Sequence, residues 1–324
     1  MRFLHSIARP NTDFPTASAF PTIDLPVNPL SLVLLNFELT NTNPAALLTY
    51  SAIDDLITNV TSVVIKHKGE NIIAGTLRDL VAVNALLYGR FPGWDRLAQT
   101  NGGIRRVTIP LGFGRKAYDP KECFPATSRG NLTLDITRAA NPAGFSDCNL
   151  TVETVELIEA EPERYLKYTP QSQTAVVGQF DQALPIGNPY LALLFFDTAL
   201  ATLDTATSSW GQVKLLKDNV EQYYPLSDAQ TLAGQMNMFF GGIPMDPGHV
   251  HGYDGAQAGM AVTDDASIPV SQGLRGYFAM NFDPNGDGMY MFETAGAADI
   301  KIRANGTSAT AVRVTPVELV SAKK

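Results

Sequence analysis

The strongest constraint on this fold is internal, because the chain reads twice. Shifted by 152 residues, one amphipathic stretch falls on another, with Leu80 on Leu232, Tyr88 on Phe240, Gly89 on Gly241 and Pro92 on Pro244. Both stretches carry helical periodicity. Over 76–88, Leu77, Leu80, Val81, Leu87 and Tyr88 share a face behind a Thr76 cap. Over 228–240, Ala229, Leu232, Ala233, Met236, Phe239 and Phe240 do so behind Asp228. Gly89 and Gly241 are suited to end the two helices. Each helix follows a lysine-bearing strand-like run, Val63–Lys68 or Val213–Lys217. Each unit closes on nearly the same segment, Val155-Glu-Leu-Ile158 or Val317-Glu-Leu-Val320, at an offset of 162. The second unit therefore holds about ten more residues in its loops. A unit that occurs twice is expected to fold twice. The polar, proline-containing stretch 159–170 marks the boundary between the copies.

Each unit reads as β-structure. Leu132, Leu134 and Ile136 alternate strictly, as do Ile300 with Ile302 and Val312 with Val314. Further strands are expected over 31–39, 61–66, 107–111 and 150–157, the last with a bulge where the apolar phase slips between Val152 and Val155. Asn-Gly or Asp-Gly steps begin at Asn101, Asp254, Asn285, Asp287 and Asn305, among 26 Gly and 21 Pro. Short strands with such punctuation indicate β-sandwiches. The longest apolar run, Tyr190–Phe196, is far short of the roughly 18 residues that a membrane helix needs.

Composition narrows the function classes. Of 324 residues only 17% are charged, against roughly 25% in average soluble proteins. Low charge on an apolar-rich chain suggests surface covered by partners. The net charge of −8 argues against direct nucleic-acid binding. Residues 1–170 carry 16 Lys+Arg against 17 Asp+Glu, whereas 171–324 carry 8 against 15. The loop 241–273 contains neither Lys nor Arg and reads as an exposed excursion. No nucleophile elbow, zinc-protease or phosphate-loop motif occurs, and only four histidines are available as bases. Gly112-Phe113-Gly114 is too short to cradle phosphate. Enzyme function is disfavoured.

Four sequence features are candidate sites. His249 and His251, two apart with Tyr253 and Asp254 nearby, lie in the cation-free loop and read as an exposed polar segment or a metal chelate. Asp283-Pro-Asn285-Gly-Asp287-Gly288 matches the opening of a calcium loop, but Thr294 stands where the bidentate Glu belongs. It reads as a hairpin tip or as a weak Ca²⁺ site formed by Asp283, Asn285 and Asp287, and no other cofactor is expected. Arg2, Phe3, Leu4, Ile7 and Arg9 precede Pro10 and read as a short amphipathic helix for a partner or anionic lipid, or as a frayed tail. No secretory leader is expected there. Cys123 and Cys148 are too few for a disulfide scaffold and read as free thiols.

The repeated blocks Val63–Pro92 and Val213–Pro244, with Ile109-Pro-Leu-Gly-Phe113, Cys123-Phe-Pro125 and Gly130-Asn-Leu-Thr-Leu134, carry a resemblance. The chain resembles the double jelly-roll major capsid proteins of tailless icosahedral viruses with an internal membrane. The resemblance is architectural and covers about residues 25–320. It implies a mainly β fold of two tandem eight-stranded jelly rolls, each with a short interposed helix. The expected limits are an N-terminal arm over 1–24, a first roll over 25–160, a linker over 161–172 and a second roll over 173–324. The resemblance also implies a non-enzymatic coat protein that forms pseudo-hexagonal homotrimers. Its partners would be neighbouring capsomers, minor capsid or vertex proteins and, as a candidate, the internal lipid membrane. Synthesis in the host cytoplasm and residence in the virion follow from the same resemblance. The alternatives are a glycosidase- or amidase-type enzyme, with Asp54, Asp55 and Glu70 as candidate carboxylates, and a carbohydrate-binding module using Trp94 and Tyr253.

Overall fold

A computed structural model describes residues 2–15, 18–41, 53–89, 92, 102–139, 145–198, 208–239 and 276–322. The first half runs β1 (Arg2–Asp13), β2 (Ser18–Ala19), β3 (Ile23–Asp24), β4 (Leu30–Asn41), α1 (Ile53–Asn59), β5 (Ser62–His67), β6 (Glu70–Gly75), α2 (Leu77–Tyr88), β7 (Ile104–Gly112), β8 (Leu132–Arg138) and β9 (Phe145–Ile158). The second runs β10 (Arg164–Tyr168), β11 (Gln171–Thr174), β12 (Gly178–Ala183), β13 (Tyr190–Asp197), β14 (Gln212–Lys217), β15 (Val220–Asp228), α3 (Ala229–Phe239), β16 (Tyr277–Asn281), β17 (Ile300–Gly306) and β18 (Ala311–Ser321).

Pairing sorts these strands into two jelly rolls of the same topology. In the first, the sheet β7-β4-β9-β1 faces β6-β5-β8, which β2 and β3 complete. In the second, β16-β13-β18 with β10 and β11 faces β15-β14-β17-β12. Each roll has eight strands when β2 with β3, and β10 with β11, count as one. The helices sit at equivalent points, α2 after β6 and α3 after β15. Helix α1 is an addition that the sequence pattern did not announce.

The duplication extends to single backbone hydrogen bonds. Leu157 N donates to Pro29 O and Leu319 N to Pro189 O. Phe113 N donates to Ser31 O, and Phe282 N to Leu191 O. Leu30 exchanges bonds with Phe124 as Tyr190 does with Phe292. Both rolls also carry a register shift at the same place, between Leu30 and Leu32 and between Tyr190 and Ala192. The bulge expected in the closing strand therefore lies on its partner. Strand β9 is continuous against β4 from Asp147 to Glu156, and its apolar slip is a change of covered face: Val155 and Leu157 are buried on one side, Thr154 and Glu156 on the other.

Both expected helices form for the expected reasons. The Thr76 hydroxyl accepts from Asp79 N while the Asp79 carboxylate accepts from Thr76 N, a reciprocal capping box. Gly89 closes α2 in the left-handed conformation at φ 63° and donates to Ala85 O. Asp228 Oδ1 accepts from Gln230 N and Thr231 N at the start of α3. Ala229, Leu232 and Met236 face the core, while Phe240 and Gly241 lie outside the described residues.

The N-terminal residues and the stretch between the rolls correct three expectations. Residues 2–13 form no helix: β1 pairs antiparallel with β9 from Arg2–Ile158 to Asp13–Asn149. Backbone bonding to an open sheet edge outweighs a weak amphipathic pattern, and Pro10 falls at a register shift, where a missing N–H costs nothing. Residues 2–24 thus supply the first strands of the first roll, not a detached arm. The expected linker is also structured, since β10 pairs with β18 along Arg164–Tyr168 and joins β6 in parallel at Tyr168–Ile73. That joint fuses one sheet from each roll into ten strands.

Candidate functional site

The two rolls meet across an internal joint. The outer face of β13, β16 and β18 packs on the first roll's core around α2. Leu191, Ala192, Leu194, Phe196, Tyr277, Ala279, Val317 and Leu319 belong to the same apolar cluster as Leu77, Leu80 and Val81. At its centre lies Asp79, 2% exposed. Its Oδ1 accepts from Tyr277 Oη at 2.6 Å and from Arg313 Nη2 at 2.9 Å. Its Oδ2 accepts from Thr76 N and Oγ1. The Arg313 guanidinium lies 4.1 Å from the centre of the Phe196 ring. Burial, then the Asp79 carboxylate, push the Tyr277 hydroxyl far above its ordinary range, so it stays a neutral donor. Burial lowers the pKa of Arg313, but Asp79 and Tyr277 together more than offset this and the net shift is upward.

A second buried cluster crosses the joint beyond the far end of β16. Arg115 Nε donates to both oxygens of Glu122, and Arg115 Nη1 donates to Asp283 Oδ2 of the second roll at 3.0 Å. Arg164 approaches Glu122 at 3.3 Å. Burial would raise the Glu122 pKa, but the hydrogen bonds and charge of Arg115 prevail and hold it below the usual carboxylate value. The expected calcium loop meets this cluster. Asp283 Oδ1 accepts from Gly288 N at 2.7 Å, so Arg115 and the turn engage both of its oxygens, while Asp287 accepts from Met289 N. Among the described residues no group of three or more His, Cys, Asp or Glu is placed to hold a metal. Gly114 is required by packing, since a Cβ there would lie 2.0 Å from Glu122 O.

The equivalent face of the first roll is partly exposed and more polar. Asn36 pairs with Thr108 and Thr151 as Phe196 pairs with Tyr277 and Arg313. Glu38 and Arg106 form an ion pair beside them at 2.7 Å. Among the described residues the sheets end on six strands, β7, β16, β2 and β12 together with β1 in the first roll and β15 in the second, and the last two stand out. Both carry exposed apolar side chains. Phe3, Leu4 and Ile7 are 61%, 48% and 62% exposed, and Val220, Tyr223 and Leu226 are 61%, 57% and 53%. Phe3 packs edge-on against Tyr118, and His5 bonds Glu153 at 2.6 Å. Arg9 lies 5.7 Å from the Phe20 ring centre. Arg2 is exposed at the start of β1.

Sequence reasoning found the Val-Glu-Leu endings but missed their partners. Asn28 Nδ2 donates to Glu156 at 2.7 Å, and Asn188 Nδ2 donates to Glu318 at the same distance. The signal was present: Asn28-Pro29 and Asn188-Pro189 stand 160 apart, close to the 162 of the endings. Burial raises the Glu318 pKa against the opposing bond from Asn188. Of the carboxylates nominated for an enzyme, Glu70 is exposed and pairs with Lys167 at 2.6 Å, while the side chains of Asp54 and Asp55 lie outside the described residues. Asp79, Glu122 and Asp283, the buried acids at the joint, are all bound to arginine. His249, His251, Tyr253, Asp254 and Trp94 lie outside the described residues. Cys123 and Cys148 are free and buried.

No protein-family model matches the sequence, and no curated protein matches it. Solved structures match along nearly the whole chain. The major capsid protein P2 of bacteriophage PM2 is 10% identical with a TM-score of 0.62, over 99% of this chain and 98% of that one. The major capsid protein of Sulfolobus turreted icosahedral virus is 12% identical with a TM-score of 0.65, over 99% and 97%. The capsid of the virus PBCV-1 gives 11% identity and a TM-score of 0.58, over 98% and 94%. At these identities the likeness establishes the fold, a double jelly roll from end to end.

Proposed function

We propose that this chain is a structural coat protein, assembled as pseudo-hexagonal homotrimers into the shell of an icosahedral virion. One observation carries the reading. Two copies of one roll are joined through dissimilar surfaces, the outer sheet face of the second on the helix side of the first. Among the described residues, that leaves the outer sheet face of the first roll and the helix side of the second uncovered. A heterologous contact of this kind closes into a ring when its rotation allows. Three chains then supply six similar rolls. Likeness of fold to the capsid proteins of PM2 and the Sulfolobus virus supports the reading. Partners would be the same chain, neighbouring capsomers and minor capsid or vertex proteins, with an internal membrane as a further neighbour. Nucleic acid would not be contacted directly. The protein would be made in the host cytoplasm and reside in the virion. Sedimentation of the purified protein should give three times the 35.0 kDa chain mass, and negative-stain images should show trimers or shells. A monomer at all concentrations would overturn the proposal.

A further inference from the structure

Inside the chain the two rolls share more than packed side chains, because strand β10 of the second roll lies beside β6 of the first and their sheets run together. Each of these strands has a counterpart in the other roll. Strand β1 holds the place of β10, since His5 pairs with Val155 as Tyr168 pairs with Val317. Strand β15 holds the place of β6, since Gln222 pairs with Leu215 as Ile73 pairs with Ile65. Both counterparts end their sheets. They are 12 and 9 residues long and bear the exposed Phe3, Leu4, Ile7, Val220, Tyr223 and Leu226. A long open strand edge with apolar side chains invites uncontrolled pairing unless something covers it.

We infer that the open edge of β1 pairs in parallel with the open edge of β15 of a neighbouring copy, so that the sheets run across the subunit boundary as they do within the chain. This rests on the assembly reading above. The occupant is a second copy, because the contact repeats one the chain already makes with itself. The register follows from the equivalences: His5 of one copy lies opposite Gln222 of the next, at the position of Tyr168 and Ile73.

The test is a disulfide between copies in the assembled full-length protein. Adjacent strands lie about 4.8 Å apart, inside the roughly 4.4–6.8 Å Cα range that a disulfide spans. The double variant His5→Cys/Gln222→Cys should give covalent dimers and trimers on a non-reducing gel after mild oxidation. The control Thr12→Cys/Gln222→Cys should give none, because its sites are offset by roughly 23 Å along the strand. The native thiols do not interfere. Both are buried, and burial pushes Cys123 up to about 12 and Cys148 to about 11. A trimeric mass with no cross-link, or with equal cross-linking in the control, overturns the edge pairing and leaves the coat-protein reading standing. A monomeric wild-type protein overturns both. If the double variant fails to fold, hydrogen exchange on the wild-type assembly decides. Outward amides of β1 and β15 should be protected in the trimer, and exchange as fast as in an open loop overturns the pairing.

Discussion

Strands β4 and β13 hold the same place in their rolls, with the same register shift and the same neighbours, yet their side chains differ. In β13 every residue is buried, whereas in β4 burial alternates along most of the strand. Leu193 and Phe195 fill the second roll's own core, and Leu194 and Phe196 fill the joint with the first. The unbroken apolar run Tyr190–Phe196 is thus a strand covered on both faces. In β4 the outward residues are Leu34, Asn36, Glu38 and Thr40. The same architecture therefore carries two kinds of face, an apolar one buried inside the chain and a more polar one on its surface. That is the division expected if, as proposed, the second face meets another copy only after folding.

The largest effects should come from removing what distinguishes the inner joint. Phe196→Asn installs the first roll's residue at the second roll's position and strips a buried ring from beneath Arg313, at a cost of about 3–5 kcal/mol. Asp79→Ala leaves Arg313 and Tyr277 without their shared acceptor and breaks the α2 capping box, which should cost about as much. Thr231 lies 152 residues on, at the matching position of α3. Thr231→Ala should move unfolding of the isolated chain by no more than about 0.5 kcal/mol. Equal losses for Asp79→Ala and Thr231→Ala in chemical denaturation would erase the distinction between the two faces.

Acid should act on the inner joint through Glu122. Its folded-state pKa lies below the ordinary 4.5, so its ion pair with Arg115 contributes fully above that value. The contribution fades as pH falls through the lower folded value. Glu122→Gln should therefore be less stable than wild type at neutral pH, with the gap closing in acid. A gap that is constant with pH would remove Glu122 from the account. Glu318 has the opposite sign. Its pKa is raised by burial, so its ionisation opposes folding as pH rises past 4.5. Glu318→Gln should gain relative stability toward neutral pH.

The duplicated Asn–Glu contacts separate the rolls more finely. Asn188→Ala leaves the buried Glu318 without its amide donor and should cost about 1–3 kcal/mol. Asn28→Ala should cost less, since Ser6 Oγ also donates to Glu156, at 3.2 Å. The order of the two losses is the measurement, and its reversal would show that Ser6 contributes nothing.

What the sequence disclosed follows the range of the forces involved. Helices α2 and α3 were legible because cap, periodicity and terminating glycine all lie within one segment. The Val-Glu-Leu endings were legible as repeated residues. The joint was not, because Asp79 meets Tyr277 across 198 positions and Arg313 across 234. Strand β1 was misread because Phe3, Leu4 and Ile7 satisfy a helical spacing, while its conformation is set by the backbone edge of β9. Strand β10 was misread because proline and charge around it resemble a linker. The candidate surfaces became visible only once the equivalence of strands could be followed residue by residue.

The smallest effect on the chain should come from the reverse exchange, Asn36→Phe. Asn36 is half-exposed, and Thr108 and Thr151 flank it where Tyr277 and Arg313 flank Phe196. A phenylalanine there finds no covering helix within the chain, so unfolding should shift by no more than about 0.5 kcal/mol. Association should respond instead. If this face meets the helix side of a neighbouring second roll, the added ring enters a contact that in the wild type is polar and adjustable. Dilution should then dissociate the variant assembly at lower concentration than wild type if the ring packs, and at higher concentration if it clashes. Either shift, with folding stability unchanged, places the face in an interface between copies. Dissociation that matches wild type would leave the outer face of the first roll as plain surface, and the likeness of β4 to β13 would be one of ancestry alone.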